Sequence, residues 1–231
     1  CTEDPVHFIK NYVKIVNVDH GLVPFDMWPF QEDMVNSFHN NRFNIAKMPR
    51  QVGKTTTTVG YMLWCVLFNP DYTIGILANK GSLAREILDR LTKAYEYLPL
   101  WLQQGVVVWN KGNIELENGS KIAAFATSAA GVRGGSYNLI FLDEFAFVPK
   151  NMADEFFTST YPVISSGKTT KVIIVSTPFG LNHFYKMWVD ATEGRSLYKP
   201  LEIHWSMVPG RDAKWREETI RNTSEEQFRR S

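Results

Sequence analysis

Hydrophobic residues along this chain fall into two alternating patterns. The first is a short, nearly unbroken apolar run, seen at residues 43–48 (Phe-Asn-Ile-Ala-Lys-Met), 72–78 (Tyr-Thr-Ile-Gly-Ile-Leu-Ala), 139–142 (Leu-Ile-Phe-Leu) and 171–176 (Lys-Val-Ile-Ile-Val-Ser). Runs of this length, rich in β-branched and aromatic side chains, suit strands covered on both faces of a parallel sheet. The second pattern is longer and helical. Residues 54–68 form one such segment, and residues 82–98 carry Leu83, Ile87, Leu88, Leu91 and Tyr95 at a 3.6-residue period. Asn69-Pro70 and Pro99 supply the stops, because proline lacks the amide hydrogen a continuing helix needs. Strands alternating with helices predict an α/β domain with a mainly parallel sheet flanked by helices.

The remaining segments refine this picture. Residues 114–126 alternate in polarity about Asn118-Gly119, which predicts a hairpin with a type I′ turn, both central residues at positive φ, at an antiparallel sheet edge. Residues 2–30 contain Pro5, Pro24 and Pro29 and predict an irregular leading segment packed on the core. Gly180 marks a turn into a helix over residues 181–188, whose aromatics read as core. Residues 211–231 are charged and helical in pattern and end without a terminating signal, which suggests one domain, residues 1–231, of a longer protein.

With 231 residues, 44% of them hydrophobic, the chain can bury a full core as a single domain. Its 25 basic and 24 acidic residues leave a formal charge of +1, so any nucleic-acid contact must be local rather than driven by a global positive field. Cys1 and Cys65 are far apart, and Cys65 lies in the apolar run 61–68, which reads as a buried, reduced thiol. No stretch approaches the ~18 apolar residues that a membrane span requires, and no basic-then-apolar leader is present. A soluble, intracellular chain is expected. The five histidines, His7, His20, His39, His183 and His204, lack metal-ligand spacing, which removes zinc and protease chemistry.

The segment Met48-Pro-Arg-Gln-Val-Gly-Lys-Thr55 follows a predicted strand and opens a predicted helix. A tight loop there turns backbone N–H groups inward, and the helix dipole adds positive potential, so a polyphosphate binds. Pro49, Arg50, Gln51, Val52, Gly53, Lys54, Thr55 and Thr56 are the candidate ATP-binding residues. Lys54 is placed for the β and γ phosphates and the Thr55 hydroxyl for Mg²⁺. Met48 stands where the usual pattern has glycine. The strand at 139–142 runs into Asp143 and Glu144. Two acids at the end of a buried strand are costly without a cation or substrate, so Asp143 is the candidate Mg²⁺ ligand, partly through water, and Glu144 the general base for the attacking water. An Asp-Glu pair can also cap the next helix.

Other candidates surround these. Gln31, behind Trp28 and Phe30, can donate to and accept from an adenine edge while an aromatic stacks on the ring, or can simply start a helix. Ser176 and Thr177 end a central strand and can sense the γ-phosphate through Glu144, or bond local backbone. Arg50, inside the loop, and Arg133, in the glycine-rich segment 130–135, are the candidates for stabilising transition-state charge as an arginine finger, with surface ion pairing as the alternative.

Taken together, Pro-Arg50-Gln-Val-Gly-Lys54-Thr-Thr, Leu-Asp143-Glu144-Phe-Ala-Phe, Val163-Ile-Ser-Ser-Gly167 and Ser176-Thr177-Pro-Phe-Gly180-Leu-Asn-His-Phe-Tyr185 resemble the large terminase subunit of tailed bacteriophages with contractile tails. The resemblance runs from about residue 24 to residue 228. It implies a RecA-like P-loop ATPase domain using ATP and Mg²⁺ in the host cytoplasm. It further implies a ring on the portal protein that drives double-stranded DNA into the procapsid, with a small terminase subunit as partner. By the same likeness Gln31 contacts adenine, Lys54 and Thr55 hold phosphate and Mg²⁺, and Ser176-Thr177 form a coupling motif. The family's nuclease domain would lie beyond residue 231. A superfamily 2 helicase-like ATPase shares the Asp-Glu strand and glutamine but needs a second RecA-like domain. A non-catalytic ATP-binding scaffold would have little use for Glu144.

Overall fold

The computed structural model describes residues 1–17, 19–128 and 130–229. In chain order the elements begin with α1 (Pro5–Tyr12), β1 (Lys14–Asn17), β2 (Gly21–Pro24), α2 (Pro29–Asn40), β3 (Phe43–Lys47), α3 (Lys54–Phe68), β4 (Thr73–Ala78) and α4 (Gly81–Glu96). They continue with β5 (Val106–Trp109), β6 (Asn113–Leu116), β7 (Lys121–Ala126), β8 (Leu139–Asp143), α5 (Lys150–Glu155) and α6 (Tyr161–Ile164). The last are β9 (Lys171–Ser176), α7 (His183–Thr192), β10 (Lys199–Glu202), α8 (Ala213–Asn222) and α9 (Glu225–Arg229). A π-turn, Phe156–Thr160, joins α5 to α6.

Eight strands form one sheet in the order β10-β3-β9-β8-β4-β7-β6-β5. The six from β10 to β7 are parallel, while β6 is antiparallel to β7 and β5 antiparallel to β6. The central strands are buried on both faces by strict alternation. Leu139 and Phe141 of β8, with Ile173 and Val175 of β9, pack into one layer beside α1, α2, α3 and α4. Ile140, Leu142, Val172 and Ile174 enter the other layer, against Phe145, Phe156, Phe184 and Trp188. Helix α3 is apolar nearly all round and buried from Thr57 to Leu67, as a helix enclosed by neighbours must be. Cys65, on that helix, is a free thiol that burial pushes up to about 12. Pro200 sits in β10, an edge strand bonded to β3, where a missing amide hydrogen is tolerated.

Three expectations are corrected. The leading segment is not irregular. Asp4 caps α1 by accepting from the His7 N–H at 3.0 Å, Phe8 and Ile9 are fully buried, and β1–β2 form an antiparallel ribbon. An eight-residue helix and four-residue strands are too short to show a period. The hairpin at 114–126 has a different turn. Only Gly119 has positive φ, +84°, and its N–H bonds the Leu116 carbonyl at 3.0 Å, a type I turn closed by a left-handed glycine rather than type I′. Asn118 is held by donating to the Val66 carbonyl at the end of α3, 2.8 Å. The hairpin lies at the antiparallel end of the sheet, as predicted, with β7 joined to the parallel strand β4 and β5 added outside β6. Finally, the helix after Gly180 begins at His183, because Asn182 is its cap, accepting from the Tyr185 N–H at 3.1 Å. Phe184 and Trp188 are buried, but Tyr185 is exposed.

The core predicts its own test. Phe141 is fully buried between the acidic strand and its helix layer, so Phe141→Ala should destabilise the chain by about 3–5 kcal/mol. Urea unfolding should show a lower midpoint with an unchanged slope.

Candidate active site

Parallel register delivers the chemistry to one rim. Lys47 at the end of β3 pairs with Ser176 of β9, Asp143 of β8 pairs with Val175, and Leu77 of β4 pairs with Leu142. The carboxyl ends of these strands therefore open into one crevice, the place where open α/β sheets bind ligands. A cleft of about 590 Å³ lies there, lined by Arg50, Thr55, Arg90, Asp143, Glu144 and Thr177 among others. Lys54 and Glu144, 90 residues apart in the sequence, make an ion pair at this rim through Nζ and Oε1.

The loop before α3 is held from several sides. The Met48 N–H donates to the Ser176 carbonyl at 3.1 Å. Val52 is fully buried. Gly53 caps α3 at φ +71°, and a β-carbon there would stand 2.5 Å from the Gln31 amide nitrogen, so glycine is required twice over. Gln51 also has positive φ, +58°. Beyond the loop, the Thr57 and Thr58 hydroxyls bond back to the Gly53 and Lys54 carbonyls at 2.9 and 2.8 Å, which leaves Lys54 and Thr55 as the helix-start side chains of the rim.

Glu144 is the most heavily tied acid. It takes the left-handed conformation, φ +48° and ψ +45°, unusual outside glycine. Its Oε2 accepts from the Thr177 N–H at 3.1 Å and the Thr177 hydroxyl at 3.0 Å, and the Ser176 hydroxyl, 3.3 Å away, shares its one proton between this oxygen and the Thr177 carbonyl at 2.8 Å. The Ser176 hydroxyl in turn accepts from the Ala146 N–H at 3.1 Å. The Ser-Thr pair therefore touches the acid directly. Asp143 differs: its Oδ1 is shut off from solvent and has no hydrogen-bond partner among the described residues. Burial pushes this carboxyl up to about 6, against the opposing pull of Lys54 and Arg90. Burial likewise lowers Lys54 to about 8, with Asp143 opposing and Arg50 adding to the shift. A buried oxygen without a donor, beside a threonine on a helix start, is a donor set suited to a hard cation.

The other sequence candidates divide. Arg50 lines the cleft and has no carboxylate within ion-pair distance among the described residues. Arg133 is engaged elsewhere: it pairs with Glu155 at 2.6 Å and donates to the Thr160 hydroxyl at 3.2 Å. Pro49 lines a separate recess with Pro178 and Trp205, and Thr56 faces a cavity beside Val13 and Ile15. Gln31 is buried and does not line the cleft. Its oxygen accepts from the Trp28 N–H at 2.9 Å and its nitrogen donates to the Val52 carbonyl at 3.0 Å. The side chain thus starts α2 and braces the loop. Two arginines reach the site without a signal in the sequence. Arg90 shares one face of α4 with Ser82, Leu83, Glu86 and Ile87 on the cleft wall, a face that only packing reveals. Arg211 donates to the Arg50 and Gln51 carbonyls at 3.1 and 3.2 Å, and no local pattern marks it.

The raised carboxyl has a defined effect on stability. Asp143 in the unfolded chain loses its proton near 3.8 and in the folded chain near 6. Its stabilising contribution is therefore complete below pH about 4 and is lost as pH rises through about 6. Asp143→Asn should remove that loss and raise stability above pH 6 by about 1–3 kcal/mol, measured by urea unfolding between pH 4.5 and 7.5. A variant less stable than the unaltered chain at pH 7.5 would contradict this.

With the geometry in place, three solved structures compare well in shape. A mutant large terminase ATPase domain of Thermus phage P74-26 gives a TM-score of 0.71 at 18% identity, covering 89% of this chain and 92% of that one. The HK97 bacteriophage large terminase gives 0.73 at 19% identity over 99% of this chain and 50% of its own. The large terminase of a thermophilic bacteriophage, in complex with ATP-γ-S, gives 0.61 at 14%, over 84% and 49%. This chain spans about half the length of the latter two. At such identities the likeness speaks for the fold alone, the RecA-like arrangement expected above. The family is given by the sequence itself: residues 45–231 match the model described as terminase large subunit, T4likevirus-type, N-terminal. The chain belongs to that family of terminase large subunits, as their N-terminal part.

Proposed function

We propose that this chain binds ATP with Mg²⁺ and hydrolyses it as the motor domain of a phage large terminase, driving double-stranded DNA into a procapsid. One observation carries the reading: Lys54 of the phosphate loop and Glu144 of the acidic strand meet at one sheet rim, with Ser176 and Thr177 bonded to the same carboxylate. Each residue then has work suited to its place. The N–H groups of residues 50–55 and the α3 dipole hold the phosphates. Lys54 exchanges its ion pair with Glu144 for the β and γ phosphates as the triphosphate enters, which frees Oε1 to take a proton from the attacking water. Oε2 remains fixed by Thr177 and Ser176, so the base is oriented and linked to the end of β9.

Asp143 and Thr55 are the residues that would hold Mg²⁺, which supplies charge neutralisation at the β and γ oxygens when bound. The unpartnered Asp143 oxygen supports that assignment. Arg50, on the cleft wall without an acidic partner among the described residues, is the first candidate for the arginine finger. Arg133, tied to Glu155, is the candidate for a neighbouring subunit's site. The portal protein, the small terminase subunit and a homo-oligomeric ring in the host cytoplasm belong to the same reading, as does a nuclease domain in the parent protein. No helix of the described residues is long and apolar enough to cross a membrane.

Steady-state phosphate release with Mg²⁺ tests it. Glu144→Gln should lower turnover by about 10²–10⁴-fold while ATP binding persists, whereas Lys54→Ala should weaken binding itself. Turnover in Glu144→Gln equal to that of the unaltered chain would remove the enzyme reading. Efficient strand separation by this chain would replace packaging with unwinding.

A further inference from the structure

The segment that follows β10 returns to the phosphate loop. Val208-Pro-Gly-Arg211 forms a turn in which Gly210 has φ +82° and the Arg211 N–H bonds the Val208 carbonyl at 3.1 Å, the pattern of a type II turn with proline and glycine at its centre. Asp212 then caps α8, accepting from the Trp215 N–H at 2.8 Å. The cap places Trp215 under the Arg211 guanidinium, 4.7 Å from the ring centroid. Trp215 itself packs on Trp205 and Phe228, with ring centroids 5.8 and 6.0 Å away. A turn, a helix cap and an aromatic face thus aim one guanidinium.

Its targets are the Arg50 and Gln51 carbonyls, both reached by Nη2. The described chain has no cis peptide, and in a planar trans peptide the N–H points opposite to the carbonyl. Holding those two oxygens outward therefore aims the N–H groups of Gln51 and Val52 toward the inside of the loop, where phosphate oxygens are received. Gln51 needs such support, since its left-handed backbone is unfavourable for a residue with a β-carbon.

We propose that Arg211 is a positioning residue for the phosphate loop: through the Arg50 and Gln51 carbonyls it presets the amides that receive the triphosphate. This rests on the ATPase reading above. It also makes nucleotide affinity depend on the seating of the small aromatic cluster of residues 205–228, a link from the tail of the domain to its phosphate site.

The test is ATP binding and turnover in Arg211→Ala and Arg211→Lys, with Lys214→Ala, exposed on the adjoining helix α8, as control. Arg211→Ala should raise the ATP Kd and KM about tenfold, the scale for losing hydrogen bonds from a charged donor, while kcat changes less than about threefold. Arg211→Lys keeps a cationic donor and should recover most of the affinity. The rise in Tm on adding Mg·ATP-γ-S should shrink in Arg211→Ala even where the Tm without nucleotide is unchanged, which a merely structural staple would not produce. Unchanged affinity in Arg211→Ala, or a loss confined to the nucleotide-free Tm, would overturn the proposal. If the unaltered chain binds ATP no better than Lys54→Ala, the ATPase reading fails instead.

Discussion

Placing a lysine and two carboxylates together at a half-buried sheet rim is the constraint on which the rest of this structure turns. Charges moved out of water are costly unless paired or hydrogen-bonded. Glu144 meets that requirement three times over, with Lys54, the Thr177 N–H and the Thr177 hydroxyl, and shares the Ser176 hydroxyl besides. Asp143, one residue earlier, meets it poorly, with one oxygen unpartnered and its carboxyl raised toward 6. The two acids share a strand end yet sit in opposite electrostatic situations. That asymmetry separates a carboxylate fixed by several donors from one whose acceptor is left unmet.

The sheet makes this asymmetry possible. β9 is inserted between β3 and β8, so its Ser-Thr end stands between the loop strand and the acidic strand and bonds to both. Met48 reaches the Ser176 carbonyl on one side, and Glu144 takes the Ser176 and Thr177 hydroxyls on the other. A shift of any one of the three strands along its axis would break a bond to its neighbour. The dense packing of Phe141, Ile173 and their partners on both faces resists such a shift.

The loop is braced in the same spirit from outside the sheet. Gln31 of α2 takes the Val52 carbonyl and fills the space that Gly53 leaves, while Arg211 takes the Arg50 and Gln51 carbonyls. Residues from opposite ends of the chain thus meet on the one loop before α3, whose Arg50, Gln51 and Val52 carbonyls are satisfied by protein.

Much of this was legible in the sequence, because burial on both faces writes strands as apolar runs and a helix start writes itself as Gly-Lys-Thr. The four central strands, α3 and α4, the acidic pair and the Ser-Thr strand end follow from local pattern alone. The short leading elements escaped because eight-residue and four-residue segments carry too little period. The turn at Asn118-Gly119 escaped because its type depends on where α3 ends. Which candidates act together was decided only by tertiary structure. Sequence could not tell that Gln31 would turn to the loop, that Arg133 would be engaged by Glu155, or that Arg90 and Arg211 would reach the site. Each of those outcomes depends on contacts between residues distant in the chain, and a side chain's local pattern records its own element while saying nothing of the neighbour it will meet.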